Sequence, residues 1–291
     1  MIYFLQQGLN ALQLGSIYAL IALGYTMVYG ILSMINFAHG DLFMLGAFFC
    51  LLSATFLGLS FVPSLLVSMV GVALLGVIIE RLAYKPLRQA PRVSAIITAL
   101  GVGIFLENLT LAISPYPQHI PPLLPIVTWT IGGLTISSLQ IIIVALALAL
   151  MLLLDFIVFR TMLGMAMRAI SWDKSVVPLM GVPVNTIISI TFALGTGLGA
   201  AAGTMYGLAF PVIDPYMGII VGWKAFISAV VGGIGNIRGA MLGGFILGGI
   251  EIMVVAFLPS TFRDFVAFSL LLVLLIFRPY GILGSPRLQK V

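Results

Sequence analysis

Nine apolar runs separated by short polar breaks follow one another along this chain, each near the ~20 residues a helix needs to cross the hydrocarbon core of a bilayer. They cover roughly residues 5–31, 42–60, 63–80, 93–113, 136–158, 184–210, 219–236, 240–258 and 264–278. With 62% of its 291 residues hydrophobic and 7% charged, against roughly 25% charged in soluble domains, the chain lacks the polar surface of a water-soluble fold. Its 32 glycines and 15 prolines would break up soluble helices, but membrane bundles tolerate them because close neighbours re-satisfy the backbone. The expected fold class is all-α: a polytopic transmembrane helical bundle of eight or nine spans in a lipid bilayer, forming one domain over residues 1–291. Eight applies if one segment is re-entrant.

Lysine and arginine gather in cytoplasmic loops, so their positions orient the spans. Arg81, Lys85, Arg88 and Arg92 mark one such loop, Arg160, Arg168 and Lys174 a second, and Arg278, Arg287 and Lys290 the tail. The stretch 114–138 has no lysine or arginine and carries Pro115, Pro117, Pro121, Pro122 and Pro125, which suits an external loop. With Arg238 in a short cytoplasmic turn, nine spans place the N-terminus outside and the C-terminus in the cytoplasm. Met1-Ile2-Tyr3-Phe4 carries no basic leader and reads as the start of the first span. The net charge of +5 is topology-setting, because the basic clusters are not interleaved with aromatics as a nucleic-acid surface would be. The single cysteine, Cys50, reads as a small core hydrophobe.

Glycines recur at every fourth residue at Gly195, Gly199, Gly203 and Gly207, and again at Gly235, Gly239 and Gly243, beside Gly244 and Gly248. Such stripes let two helix backbones approach closely and predict tight packing; a stripe at a moving interface or along a solute path is the functional alternative. An internal two-fold repeat is a further expectation, since four spans precede the external loop and four follow the 136–158 run, although no residue-level match links the halves.

No GxxxxGK[ST] loop, HExxH pair, GxSxG elbow or metal-spaced cysteine and histidine cluster occurs, so the chain is expected to be non-catalytic, with no metal site and no cofactor of its own. If ATP drives it, another polypeptide must hydrolyse the nucleotide against a cytoplasmic surface, for which 160–182 is the longest internal candidate. Ionisable residues within spans are costly and count as functional candidates. Glu251 and Glu107, beside Asn108, could each contact solute or be a hydrogen-bonded packing residue. Asn36, His39 and Asp41 cluster in NFAHGD at a break between runs, where capping of the next helix is the simpler explanation for Asp41. Lys224 and Asp155, near span ends, need only snorkel.

Several long segments, in order, resemble one family. GSIYALIALGYTMVYGILSMINFAHGDLFMLGAF (Gly15 to Phe48), ERLAYKPLR (Glu80 to Arg88), LGMAMRAIS with Asp173 and Gly181, KAFISAVVGGIGNIRGAMLGG (Lys224 to Gly244) and PYGILGSP (Pro279 to Pro286) are similar to the branched-chain amino-acid ABC transporter permeases. The resemblance is strongest to the first permease subunit of the bacterial high-affinity leucine, isoleucine and valine uptake system. It implies a bacterial inner-membrane importer subunit that pairs with a second, homologous permease and two cytoplasmic ATPases holding ATP and magnesium, fed by an external substrate-binding protein. It also implies that Gly164, Arg168, Ala169, Asp173 and Gly181 form the coupling segment seated in the ATPase. Trp172, Val177 and Pro178 depart from the usual residues there. Two alternatives stay open: a urea or short-chain amide permease of the same type, and a self-sufficient secondary transporter or channel.

Overall fold

The computed structural model describes residues 2–32, 34–88 and 90–284, which leaves the tail residues Pro286, Arg287 and Lys290 outside the described residues. Ten α-helices dominate the described residues: α1 (Ile2–Leu32), α2 (His39–Phe56), α3 (Phe61–Ile79), α4 (Arg92–Ile113), α5 (Ser138–Arg160), α6 (Met162–Trp172), α7 (Val184–Ala209), α8 (Met217–Gly232), α9 (Ile237–Phe257) and α10 (Phe262–Phe277). Seven helices are long and apolar enough to cross a membrane. The expected runs 219–236 and 264–278 are instead the shorter α8 and α10, of 16 residues each. α3 continues into a π turn over Glu80–Tyr84.

α1 occupies the centre, polar in its first turns at Gln6, Gln7, Asn10 and Gln13 and then buried on every face without interruption from Leu14 to Val28. α9, α7, α5 and α8 pack around it. Glycine decides how closely they approach. Gly244 and Gly248 of α9 face the backbones of Ala19 and Gly15 on α1, while Gly239 and Gly243 face Gly232 and the Ser228 carbonyl of α8. One helix thus carries two small-residue stripes on two faces, each turned to a different neighbour. On α7, Gly195 lies against Gly24 of α1, Gly199 against His39, Gly203 against the Phe43 carbonyl of α2, and Gly207 against Ile120 and Ile213.

Gly235 corrects the sequence expectation. It does not extend the α9 stripe but sits in the turn between α8 and α9 at φ 91°, a left-handed conformation that suits a residue without a Cβ. Beside this turn the segment after α10 folds back. The N–H groups of Ile282 and Leu283 donate to the Val231 and Gly232 carbonyls at 2.9 and 3.0 Å, and the Asn236 amide donates to the Leu283 carbonyl at 2.7 Å. These bonds satisfy carbonyls at the end of α8 that its own helix leaves unpaired.

The proline-rich stretch 114–138 holds three of the four short strands among the described residues. β1 (Gln118–His119) pairs with β4 (Val212–Ile213), and β2 (Thr128–Ile131) with β3 (Leu134–Ser137) through a Gly132-Gly133 turn at φ 58° and 87°. Gln6 of α1 clamps this hairpin by exchanging hydrogen bonds with the Thr135 backbone at 3.0 and 2.9 Å. Ser137 and Gln140 form a reciprocal cap at the start of α5. The bundle therefore has a hairpin end and, opposite, an end formed by α6.

Candidate functional site

The break at NFAHGD does not lie at the surface of the bundle. His39, the first residue of α2, is fully buried against Gly24 of α1 and Gly199 of α7. Gly199 stands fifteen residues into α7, about 22 Å from its start in a helix of 26 residues, so α2 begins deep inside the bundle. α8 begins beside it: Gly40 touches Gly218 and Gly222, and a Cβ on any of the three would press on backbone. Two helix N-termini, each carrying the partial positive charge of its dipole, are thereby brought side by side at depth.

The capping role expected for Asp41 is not what its side chain performs. The residue preceding α2 is Ala38, no side chain caps that helix end, and the Asp41 carboxyl instead points between Gly103 of α4 and Gly218 of α8. Asp41 still sits in the first turn, where its charge complements the helix dipole. It is 5% exposed and lines a cavity of about 90 Å³. The half-buried Glu107 of α4 lines the same cavity, and the two carboxyls meet within hydrogen-bonding reach. Tyr25, Phe37, Trp223 and Phe226 form an aromatic wall, with Phe37 and Trp223 centroids 5.6 Å apart. Gly103, Gly218 and Gly222 leave the space that side chains would fill. Chemically the cavity offers two adjacent carboxyls, which favour a positive group between them in a low-dielectric surrounding, beside a flat apolar wall.

The remaining polar candidates go elsewhere. Asn36 accepts a 2.7 Å hydrogen bond from Tyr84, which ties the segment before α2 to the π turn. Glu251 belongs to a separate cluster, accepting from the Tyr18 hydroxyl at 3.0 Å and pairing with Lys224 at 2.9 Å and Arg263 at 3.6 Å. Lys224 also lies 2.9 Å from Asp264. It is 4% exposed in the middle of α8, so the snorkelling expected from its position in the run is corrected: an internal carboxylate holds it inside. Asp155 pairs with Arg238 at 3.0 Å across the ends of α5 and α9. Glu80 escaped the sequence reading because it opens a visibly basic loop. It is fully buried, pairs with Arg88 and accepts from Ser189 at 2.6 Å.

The chain matches, over residues 8–276, the family described as branched-chain amino acid transport system / permease component. It belongs to that family. It is 42% identical to the high-affinity branched-chain amino acid transport system permease protein BraD of Pseudomonas aeruginosa, over 99% of this chain and 98% of the relative. It is 40% identical to LivH of Escherichia coli, a permease protein of the same description, over 100% and 98% of the two chains. A probable branched-chain amino acid transport permease protein, LivH of Methanocaldococcus jannaschii, is 27% identical over 94% and 91%. No solved structure matches.

At the α6 end of this permease, Gly164, Arg168, Ala169, Asp173 and Gly181 share one surface element. Thr161 caps α6 by accepting from the Gly164 N–H at 3.2 Å, and a Cβ on Gly164 would strike the Ile157 and Val158 carbonyls. Arg168 donates to the Val158 carbonyl and lies 5.4 Å from the Phe159 ring, folding α6 back on the end of α5. Asp173 accepts from the Ser175 N–H and hydroxyl at 2.9 and 2.6 Å, holding the turn that follows. Pro178 falls in the first turn of a 3₁₀ helix, Val177–Met180, where a missing N–H costs no bond, and Gly181 ends it at φ 78°. Trp172 and Leu179, each 86% exposed, project from this element with Met162 and Met180.

Proposed function

We propose that this chain is the membrane permease subunit of an ATP-driven importer of branched-chain amino acids in a bacterial inner membrane. The observation that carries this reading is the end-to-end similarity, at 42% and 40% identity, to two permease proteins named for that transport. In this reading a second, homologous permease completes the path, an external binding protein delivers the solute, and two ATPase subunits hold ATP and magnesium. The basic residues Lys85, Arg88, Arg160, Arg168, Lys174 and Arg238 around the α6 end support a cytoplasmic orientation of that end, with the 114–138 loop outside and the C-terminus in the cytoplasm in this reading. The exposed apolar side chains of α6 and the turn after it then meet the ATPase, with Gly164, Arg168, Ala169, Asp173 and Gly181 setting the shape of the contact.

The Asp41–Glu107 cavity is the part of the path this subunit contributes. The carboxyls face the ammonium group of the amino acid, and Phe37, Trp223 and Phe226 face its aliphatic side chain. His39 and Asn36 support the start of α2 from behind, and Glu251 acts through the separate cluster with Lys224. The test is reconstitution into proteoliposomes with the second permease, the ATPases and the binding protein. ATP-dependent leucine uptake is expected. Uptake by this chain alone on a proton or sodium gradient, or ATP-driven uptake of urea or a short amide in place of leucine, would overturn the reading.

A further inference from the structure

On the outside of the bundle α3 and α5 barely touch, and α7 lies behind both, so a slot runs between them. It encloses about 300 Å³ and is lined by apolar residues alone, among them Leu66, Val70 and Ala73 of α3, Leu153 and Ile157 of α5, and Ala193 of α7. The lining residues belong to the later half of α5, the first and middle parts of α7 and the middle of α3, so the slot lies at mid-bundle and extends along α5 toward the α6 end. It shares no helix with the Asp41–Glu107 cavity, whose walls come from α1, α2, α4 and α8. On the reading proposed above, a second permease completing the path at that cavity leaves the slot to the lipid.

The slot leads toward two exposed cations. Arg160 follows Leu153 by seven residues, or about two turns of α5, and Arg81 follows Val70 by eleven, about three turns along α3 and into the π turn that continues it, so each continues the face that lines the slot. Neither arginine forms an ion pair with an acid among the described residues, and the nearby Glu80 and Asp155 are engaged by Arg88 and Arg238. A basic site at the head of an apolar slot between membrane helices matches a lipid that carries negative charge above a hydrocarbon chain.

We propose that this slot holds one acyl chain of an anionic phospholipid, with the phosphate of its head group against Arg81 and Arg160. The probe is an equimolar mixture of phosphatidylglycerol and phosphatidylcholine offered to the full-length protein, purified with its partner subunits, and the readout is retained lipid by native mass spectrometry. One phosphatidylglycerol per copy of this chain is expected, preferred about tenfold over phosphatidylcholine. Ala193→Trp fills the slot and abolishes retention. Arg81→Gln with Arg160→Gln, at exposed positions that leave the core intact, keeps a lipid but loses the head-group preference. Because the readout is lipid bound and not solute moved, its failure is separate from failure of the transport reading. Equal retention of the two lipids by the unmodified protein, undiminished phosphatidylglycerol in both variants, or cross-linking of Leu153→Cys to the second permease would overturn the proposal.

Discussion

Lys224 of α8 and Glu251 of α9 form a buried ion pair, 2.9 Å from Nζ to Oε1, that joins the two helices facing α1 from one side. Both charges are removed from water and lipid, so each depends on the other. Lys224→Met leaves Glu251 with the Tyr18 hydroxyl and the more distant Arg263. It is expected to cost about 3 kcal/mol, whereas Lys224→Met with Glu251→Met recovers most of that loss. Melting of the purified protein in detergent measures the cycle; equal losses for the single and double variants would contradict the pairing.

Close backbone approach predicts an order among glycine substitutions. A Cβ at Gly203 meets the Phe43 carbonyl, which cannot move without shifting α2, so Gly203→Ala is expected to destabilise by about 1–3 kcal/mol. At Gly199 the neighbour is the end of the His39 ring, 3.3 Å from the added carbon, and the cost is smaller. Gly101 has open space, and Gly101→Ala should melt no lower than the parent. Equal melting of all three variants would remove the packing argument.

For the carboxyl pair, Asp41→Asn and Glu107→Gln are each expected to raise the half-saturating leucine concentration about tenfold in proteoliposomes, as loss of one charge-assisted contact does. Asn108→Ala, at an exposed neighbouring position, serves as the control and leaves it unchanged. Unaltered saturation in both acid variants, with transport intact, would place the solute elsewhere.

Gly181 and Asp173 hold the turn after α6. Gly181→Ala must adopt φ 78° at a cost of roughly 1 kcal/mol or abandon the turn, and Asp173→Ala removes the acceptor for Ser175. Each is expected to leave ATP hydrolysis running while uptake falls about tenfold, with the protein still inserted. Hydrolysis and uptake measured in the same vesicles decide the matter; normal uptake in both variants would exclude this surface as the point of coupling.

Much of the architecture was legible because its signals are local. A run such as 136–158 is apolar for the length of a span whatever surrounds it, and becomes α5, while Gly195 to Gly207 keep their fourth-residue spacing in any bundle. The site was less legible. Glu107 was visible as an acid within a span and Asp41 as a polar residue at a break between runs, but 66 positions of chain separate them and no spacing rule joins two helices. Glu251, given the same standing, belongs with Lys224, and Glu80 was hidden in a loop marked by its basic neighbours.

The amino-acid order was enough to establish a helical membrane bundle and its family, because hydrophobic length and long ordered motifs survive without any knowledge of contacts. Which polar groups meet was settled by packing: Gly40, Gly218 and Gly222 let α2 and α8 begin side by side at depth, and that approach turns Asp41 toward Glu107 and away from a cap. The cost of an unpaired polar group in an apolar interior forces each such side chain to find a partner, and the partner's identity depends on which helices lie within reach.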